Sequence, residues 1–297
     1  RVDRRQRQMC IRDSYDRFVN QGAVMGDSFG LENVLWFANN KEDAHEEPTI
    51  KRSRSHDYVS REVINVRENV GLIEVANFSK HEFKGTDARK FLDHVMAGKL
   101  PKPGRISLSP MLSYRGKLCG DLTVACLDEN EFMVFGSGAA QEMHRRWFES
   151  HLDKFDVNYK NRSDEFHGIS IAGPNSRKVL EKIVRDDVSN EKFKFRDSRR
   201  MFVGGVPSII NRISFTGELG YEIYVAPHYQ IKLYEELMEA GKEFNIKPFG
   251  GRALMSMRLE KNWGAWTLDY RPDFTAKETG LDTVSYTHLR AHETSLH

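Results

Sequence analysis

Apolar positions along this chain follow two rhythms. Phe91, Leu92 and Val95 fall at helical spacing, as do Val179, Leu180 and Ile183. Residues 221–225 alternate, with Ile223 and Val225 apolar on one side and Glu222 sharing the other with Tyr224. The two helical stretches belong to a repeat. Residues 83–95 and 171–183 match at Gly85 and Gly173, Arg89 and Arg177, Lys90 and Lys178, and Leu92 and Leu180, always 88 positions apart. Each copy reads as strand, glycine turn, helix. Thr86 is placed to cap the first helix and Pro174 to sit in the first turn of the second. Matched strand–helix units predict an α+β fold of two similar halves, about residues 60–160 and 161–283, each a split βαβ layer.

The same patterning predicts a strand pair over 71–83 and a meander of 105–108, 122–127 and 131–135. A strand over 203–210 leads into a hairpin whose arms are 213–215 and 221–225, with Gly217 and Gly220 in the turn. Helices are expected over 141–152, 230–244 and 250–259, with Trp147, Phe148 and Leu152 in the core. The charged, aperiodic stretch 44–57 reads as a loop.

The two ends differ from the rest. Residues 1–14 are nearly all polar, and 284–297 hold three of the eleven histidines without an apolar face. Both resemble translated sequencing-adapter read-through, and both are set aside. Residues 1–14 carry five arginines against two aspartates, so removing that net +3 from the chain's +2 leaves −1 for the remainder. That balance gives no basic footprint for nucleic acid. No apolar run is long enough to span a bilayer and no signal peptide is visible, so neither a membrane nor a nucleic-acid partner is expected. Cys119 and Cys126 are too few for a zinc site and suggest a reducing compartment. The histidines at 81, 94, 144, 151 and 167 show no ligand spacing, and no metal is expected. The sequence holds no P-loop, dinucleotide fingerprint or nucleophile elbow.

Two carboxylates stand out. Asp121, between Gly120 and Leu122-Thr123-Val124, reads either as a turn-forming aspartate or as an acid at the start of a strand, able to take a proton or steady a cation. Glu222 reads either as a surface glutamate of an ordinary hairpin or as a carboxylate aimed from a rigid strand at a ring edge bearing paired N–H donors. Arg258 and Glu260 read as a structural ion pair, and Trp263 and Trp266 as packing residues.

The run from Arg212 to Val225 resembles the signature turn of the folate-binding aminomethyltransferases, the family of the glycine cleavage T-protein. The likeness is nearer to the C-terminal, folate-binding half of dimethylglycine and sarcosine dehydrogenases. Gly-Ala-Val-Met-Gly at 22–26, Leu-Trp-Phe-Ala at 35–38, Val-Gly-Leu-Ile-Glu-Val at 70–75, Gly-Asp-Leu-Thr-Val at 120–124, Ala-Gly-Pro-Asn-Ser-Arg at 172–177 and Arg-Leu-Glu-Lys at 258–261 support it in order and spacing. The resemblance covers about residues 22–282. It implies two ferredoxin-like halves that clasp a ligand, with the family's C-terminal barrel missing, and it places an aminomethyltransferase-type domain at 15–283.

It further implies a tetrahydrofolate module that captures an iminium one-carbon unit as 5,10-methylenetetrahydrofolate. Asp121 matches the second aspartate of the T-protein's Asp-Asp-Leu motif, beside the reactive folate nitrogens; the first is Gly120 here, as in the dehydrogenase branch. Glu222 matches the carboxylate that holds the pterin, and Phe215 stands where the T-protein has tyrosine. Arg252 is a candidate for the benzoyl-glutamate tail, although alignment on Arg258 puts the T-protein's tail-binding arginine at Leu254. Ser137 is a further folate-binding candidate. FAD would belong only to an absent N-terminal domain, which with the barrel would act in cis on a methylated amine, in bacterial cytoplasm or mitochondrial matrix. The resemblance leaves as alternatives a stand-alone aminomethyltransferase, a folate-dependent demethylase, or a non-catalytic folate-binding regulator; the last usually carries a Lys-Gly-Cys signature that is absent here.

Overall fold

A computed structural model describes residues 14–28, 31–45 and 49–281. Of the two ends set aside above, all but Ser14 lie outside the described residues. Ser14 itself belongs to the fold: it is buried, donates to Glu74 at 3.1 Å and accepts from Gln230 at 3.0 Å.

The chain begins with α1 (Tyr15–Asn20), β1 (Ala23–Ser28), β2 (Leu31–Phe37), α2 (Ser55–Glu68) and β3 (Val70–Glu74). It continues through β4 (Ser79–Lys84), α3 (Ala88–Val95), β5 (Arg105–Leu112), β6 (Leu118–Asp128), β7 (Glu131–Gly136), α4 (Gln141–Glu149) and β8 (Asn158–Asn161). Then come β9 (His167–Ala172), α5 (Ser176–Ile183), β10 (Ser198–Val203), β11 (Val206–Asn211), β12 (Gly220–Val225), α6 (Gln230–Gly241), β13 (Ile246–Pro248) and α7 (Gly251–Glu260). The repeat is now visible as structure. Shifting β4 and α3 by 88 residues gives the bounds of β9 and α5. The turns between them hold Gly85 at φ 145° and Gly173 at φ 131°. A Cβ on either would sit 2.4 Å from the Asp156 carbonyl or 2.5 Å from that of Val66, so both turns need glycine for conformation and for space.

Two compact units result. One comprises residues 77–166, 194–200 and the chain from 264. Its sheet runs β5-β6-β7-β4-β8, antiparallel throughout. Phe83, Phe91, Leu92, Leu122, Val124, Phe132, Val134 and Phe148 form the core where α3 and α4 cover one face. Because strand side chains alternate, Asp121 and Thr123 project from the other face.

The other unit comprises residues up to 76, 167–193 and 201–263. Its sheet runs β10-β11-β12-β9-β3-β13, with β13 parallel to β3. Ile171, Ile210, Tyr221 and Ile223 pack with Val179 and Leu180 of α5 and with Leu233 and Leu237 of α6. On the opposite face α2 and α7 bring Val66, Ala253 and Met257 onto Ala172, and leave the Glu222 and Tyr224 positions of β12 outside that cluster. Among the described residues no helix is long and apolar enough to cross a membrane.

Several expectations change. Strands 71–83 do not pair with each other: β3 joins β9 and β13, while β4 joins β7 and β8 in the other sheet. The strand expected over 203–210 is a hairpin, β10 and β11, because Gly204 and Gly205 at φ 57° and 78° turn the chain. Residues 213–215 are not a strand. Ser214 and Thr216 bond each other at 2.6 Å, and their hydroxyls accept from the amides of Thr216 and Glu218 at 3.2 Å, which draws the backbone out of the ladder. The hairpin therefore closes from Asn211 to Gly220, around an eight-residue loop. Thr86 does not cap α3; its hydroxyl donates to Asp156 at 2.8 Å. Pro174 precedes the first residue of α5 by two positions. The last three residues of the stretch read as a loop, 55–57, open α2.

Candidate functional site

Glu222 is positioned by the middle of its sheet. Its Cα pairs with Asn211 on β11 and Ser170 on β9. Tyr221, Ile223 and Val225 turn into the helix-covered core, which forces Glu222 and Tyr224 to the other face as the alternation predicts. Glu222 is only 9% exposed, and the Tyr224 hydroxyl donates to its Oε2 at 2.8 Å. Burial pushes its carboxyl up to about 7, against the opposing effect of that bond. Oε1 has no partner among the described residues. Gly168 lies opposite Tyr224, and a Cβ there would stand 2.8 Å from the ring, so the glycine makes room for the tyrosine that holds Glu222. Phe215 is half-buried in the loop 212–219 that leads into this strand.

Asp121 lies within β6, three residues past its first residue and opposite Pro110, rather than at a strand start beside a turn. The strand extends further because Leu118 anchors its beginning in a small cluster with Tyr270, Ala276 and Leu281. Asp121 keeps intermediate accessible surface, yet protein packs round the carboxyl closely enough that burial pushes it up to about 7. No other side chain among the described residues bonds to it. The β6–β7 ladder pairs Thr123 with Phe135, and continued one step along the same face it sets Ser137 opposite Asp121. β7 ends at Gly136, so that placement of Ser137 is the ladder's register carried one residue beyond the strand.

The glycine before Asp121 now has a physical reason. A Cβ at Gly120 would lie 2.8 Å from Nε2 of His144, a buried residue of α4. A side chain at that position would not fit beneath the imidazole. Neither His144 nor Tyr224 was singled out for a role in the sequence. The available signals were their inward positions, His144 four residues before Phe148 on one helix face and Tyr224 two after Glu222 on one strand face.

Arg252, in α7, donates to Ser55 at 2.6 Å and lies 4.7 Å over the Trp36 ring. Arg258 and Glu260 do not pair: positions two apart on a helix point apart, Arg258 donates to the Trp263 carbonyl at 2.8 Å, and Glu260 pairs with Arg67. Trp266 packs near Leu118, and its ring centroid is 6.1 Å from that of His144. Burial pushes the imidazoles of His81 and His144 down to about 3 and about 4. Burial also pushes the Cys119 and Cys126 thiols up, which disfavours thiolate chemistry. Among the described residues no group of three or more His, Cys, Asp or Glu is placed to hold a metal.

Comparison with known proteins places this arrangement. The family model of the GCVT N-terminal domain matches residues 14–287. Human mitochondrial dimethylglycine dehydrogenase is 36% identical over 261 residues, 87% of this chain and 30% of that protein. The alpha subunit of sarcosine oxidase from Rhizobium meliloti is 35% identical over 83% of this chain and 25% of its own length. Aminomethyltransferase from Thermoanaerobacter pseudethanolicus is 28% identical over 73% of this chain and 59% of its length. The chain thus spans under a third of the dehydrogenase and under two thirds of the aminomethyltransferase. In fold it is similar to the crystal structure of glycine cleavage system aminomethyltransferase T from Bartonella henselae, with a TM-score of 0.78 at 21% identity over 93% of this chain and 69% of that one. The chain belongs to the aminomethyltransferase family, as a GCVT N-terminal domain related to dimethylglycine dehydrogenase and to the alpha subunit of sarcosine oxidase.

Proposed function

We propose that this domain binds tetrahydrofolate and captures a one-carbon unit released from a methylated glycine, giving 5,10-methylenetetrahydrofolate. The observation that carries the reading is two carboxyls, Glu222 on the face of its sheet opposite α5 and α6 and Asp121 on the face of its sheet opposite α3 and α4, each pushed up to about 7. Such values suit groups that exchange a proton or meet a donor-rich ligand near neutral pH.

The residues fit the group. Glu222 keeps Oε1 uncommitted, held at a fixed angle by Tyr224, and a carboxylate so fixed matches the paired N–H donors of a pterin edge. Phe215 offers a ring face from the adjoining loop, and Arg252 offers a guanidinium for the acidic tail. Tetrahydrofolate supplies the nitrogens that accept the one-carbon unit. While ionised, Asp121 would steady a neighbouring cation and would then take up the proton released beside it, becoming neutral; Ser137 would hold the far side of the same face. Fixing both partners turns a bimolecular capture into an effectively intramolecular one. In this reading a flavin domain in cis supplies the oxidised amine, in a mitochondrial matrix or bacterial cytoplasm, as in a dimethylglycine or sarcosine dehydrogenase. Gly120 in place of the T-protein's aspartate supports that branch over a stand-alone aminomethyltransferase.

Anaerobic calorimetry with tetrahydrofolate tests the reading. Glu222→Gln is expected to weaken binding by about tenfold or more, the scale of a lost charged hydrogen bond. Asp121→Asn is expected to bind within about threefold of wild type but to lose about 100-fold or more in methylene transfer. Unchanged affinity in a folded Glu222→Gln variant would point to another ligand on this fold.

A further inference from the structure

His144 is wedged beneath two glycines of neighbouring strands. A Cβ on Gly120 would stand 2.8 Å from its Nε2, and a Cβ on Gly136 would stand 3.1 Å from its Nδ1. Gly120 immediately precedes Asp121 on β6, and Gly136 immediately precedes Ser137 at the end of β7. The Nε2 of His144 lies 3.0 Å from the carbonyl oxygen of Cys119. A carbonyl only accepts, so this nitrogen carries the proton and Nδ1 is the bare acceptor. The ring is fully buried beside His81, 6.1 Å between centroids, and Trp266.

We infer that His144 is a positioning residue: from the helix side it clamps the backbone at Cys119–Gly120 and at Gly136, and so fixes where Asp121 and Ser137 project on the opposite face. The physical link is the pleat. Successive strand residues point to opposite sides, so a contact that fixes one backbone position on the inner face sets the direction of the next side chain on the outer face. Gly120 brings β6 down onto the imidazole, Gly136 brings β7 down onto the imidazole and Leu122 together, and the Nε2–H bond to Cys119 ties β6 to the ring. Neutrality of the buried ring keeps that donor in place through physiological pH. The inference rests on the proposed role of Asp121 for its importance to catalysis, but its geometry does not.

The test is a carboxyl-carbon NMR titration of Asp121 in the 297-residue chain, assigned with Asp121→Asn, in wild type, His144→Gln and His144→Leu. Gln returns an N–H donor towards the Cys119 carbonyl, whereas Leu fills similar space without one. Wild type and His144→Gln are expected to titrate alike, and His144→Leu is expected to let Asp121 swing towards water, lowering its midpoint by about one pH unit. The Glu222 midpoint, in the other unit, is expected to stay put. An unchanged Asp121 midpoint in His144→Leu, or an equal fall in both variants, overturns the inference. Should His144→Leu fail to fold, Gly120→Ala is titrated instead. It keeps the imidazole but pushes it off Cys119, so the same fall is expected and an unmoved midpoint overturns the inference. No folate enters this measurement. An Asp121→Asn enzyme with full transfer activity would remove the functional reading and leave the titration result standing.

Discussion

At the residue scale, Tyr224 sets the charge of Glu222. Its hydroxyl donates to Oε2 and favours the ionised carboxylate, while burial favours the neutral acid. Removing the hydroxyl leaves only burial, so Tyr224→Phe is expected to raise the Glu222 midpoint further. A ligand held by the charged carboxylate then loses affinity at a higher pH. The acid-side midpoint of tetrahydrofolate binding is expected to move up by about one pH unit, the equivalent of about 1.4 kcal/mol. Calorimetric affinities measured at several pH values between about 5.5 and about 8 check this; a midpoint that stays or falls would show that Tyr224 only packs. The sequence shows that Glu222 and Tyr224 share a face, because alternation is a local property. It does not show that Glu222 is enclosed, because part of that enclosure comes from β9, which arrives from residues distant in the chain.

At the element scale, the turn glycines of the repeat are expected to be the least replaceable. Gly173→Ala would set a Cβ 2.5 Å from the Val66 carbonyl oxygen and 2.6 Å from that of Asn69, at φ 131°. Gly205, at φ 78°, has nothing within 4 Å of such a Cβ. Conformational strain alone costs about 1 kcal/mol at Gly205, whereas strain plus overpacking at Gly173 costs about 3 kcal/mol or more. Thermal melts should therefore fall by roughly 2–4 °C for Gly205→Ala and about three times that for Gly173→Ala. Equal shifts would mean that the Gly173 turn relaxes freely. These turns are legible in sequence because each strand, glycine and helix lie within one short consecutive stretch, 79–95 and 167–183. What fails to read is non-local or competes with the ladder. Nothing near residues 70–84 says that β3 and β4 join different sheets, and residues 213–215, whose composition favours a strand, instead bond locally through the Ser214 and Thr216 hydroxyls and the Ile213 amide.

At the scale of the whole molecule, buried ionisable groups of opposite tendency shape stability against pH. Glu62, Asp121 and Glu222 are pushed up to about 7 from their ordinary values of 4.5, 3.8 and 4.5. A group whose folded pKa is raised stabilises fully below its unfolded value, and that stability is lost as pH rises through the folded one. These three therefore weaken the fold between about 4.5 and about 7 as pH rises, with the decline complete somewhat above 7. His81 and His144 are pushed down to about 3 and about 4 from 6.5. Their contribution is present above 6.5 and is lost as pH falls towards those folded values. Between about 4.5 and about 6.5 the folded state holds up to three extra carboxyl protons while the unfolded state holds two extra imidazole protons, so the slopes nearly cancel. Below about 4.5 only the histidines act and stability falls; above about 6.5 only the carboxyls act and stability again falls as pH rises. Melting temperature is thus expected to show a broad plateau near pH 4.5–6.5 with a decline on both sides. The limbs separate by mutation. Glu222→Gln is expected to shallow the alkaline limb and leave the acid limb, while His144→Gln, whose amide never charges, is expected to shallow the acid limb alone. Melting curves of both variants across about pH 3.5 to 8.5 decide it, and an acid limb unchanged in His144→Gln would locate the acid sensitivity in the ion pairs of Asp87 with Lys90 and of Glu131 with Lys84 and Arg200 instead.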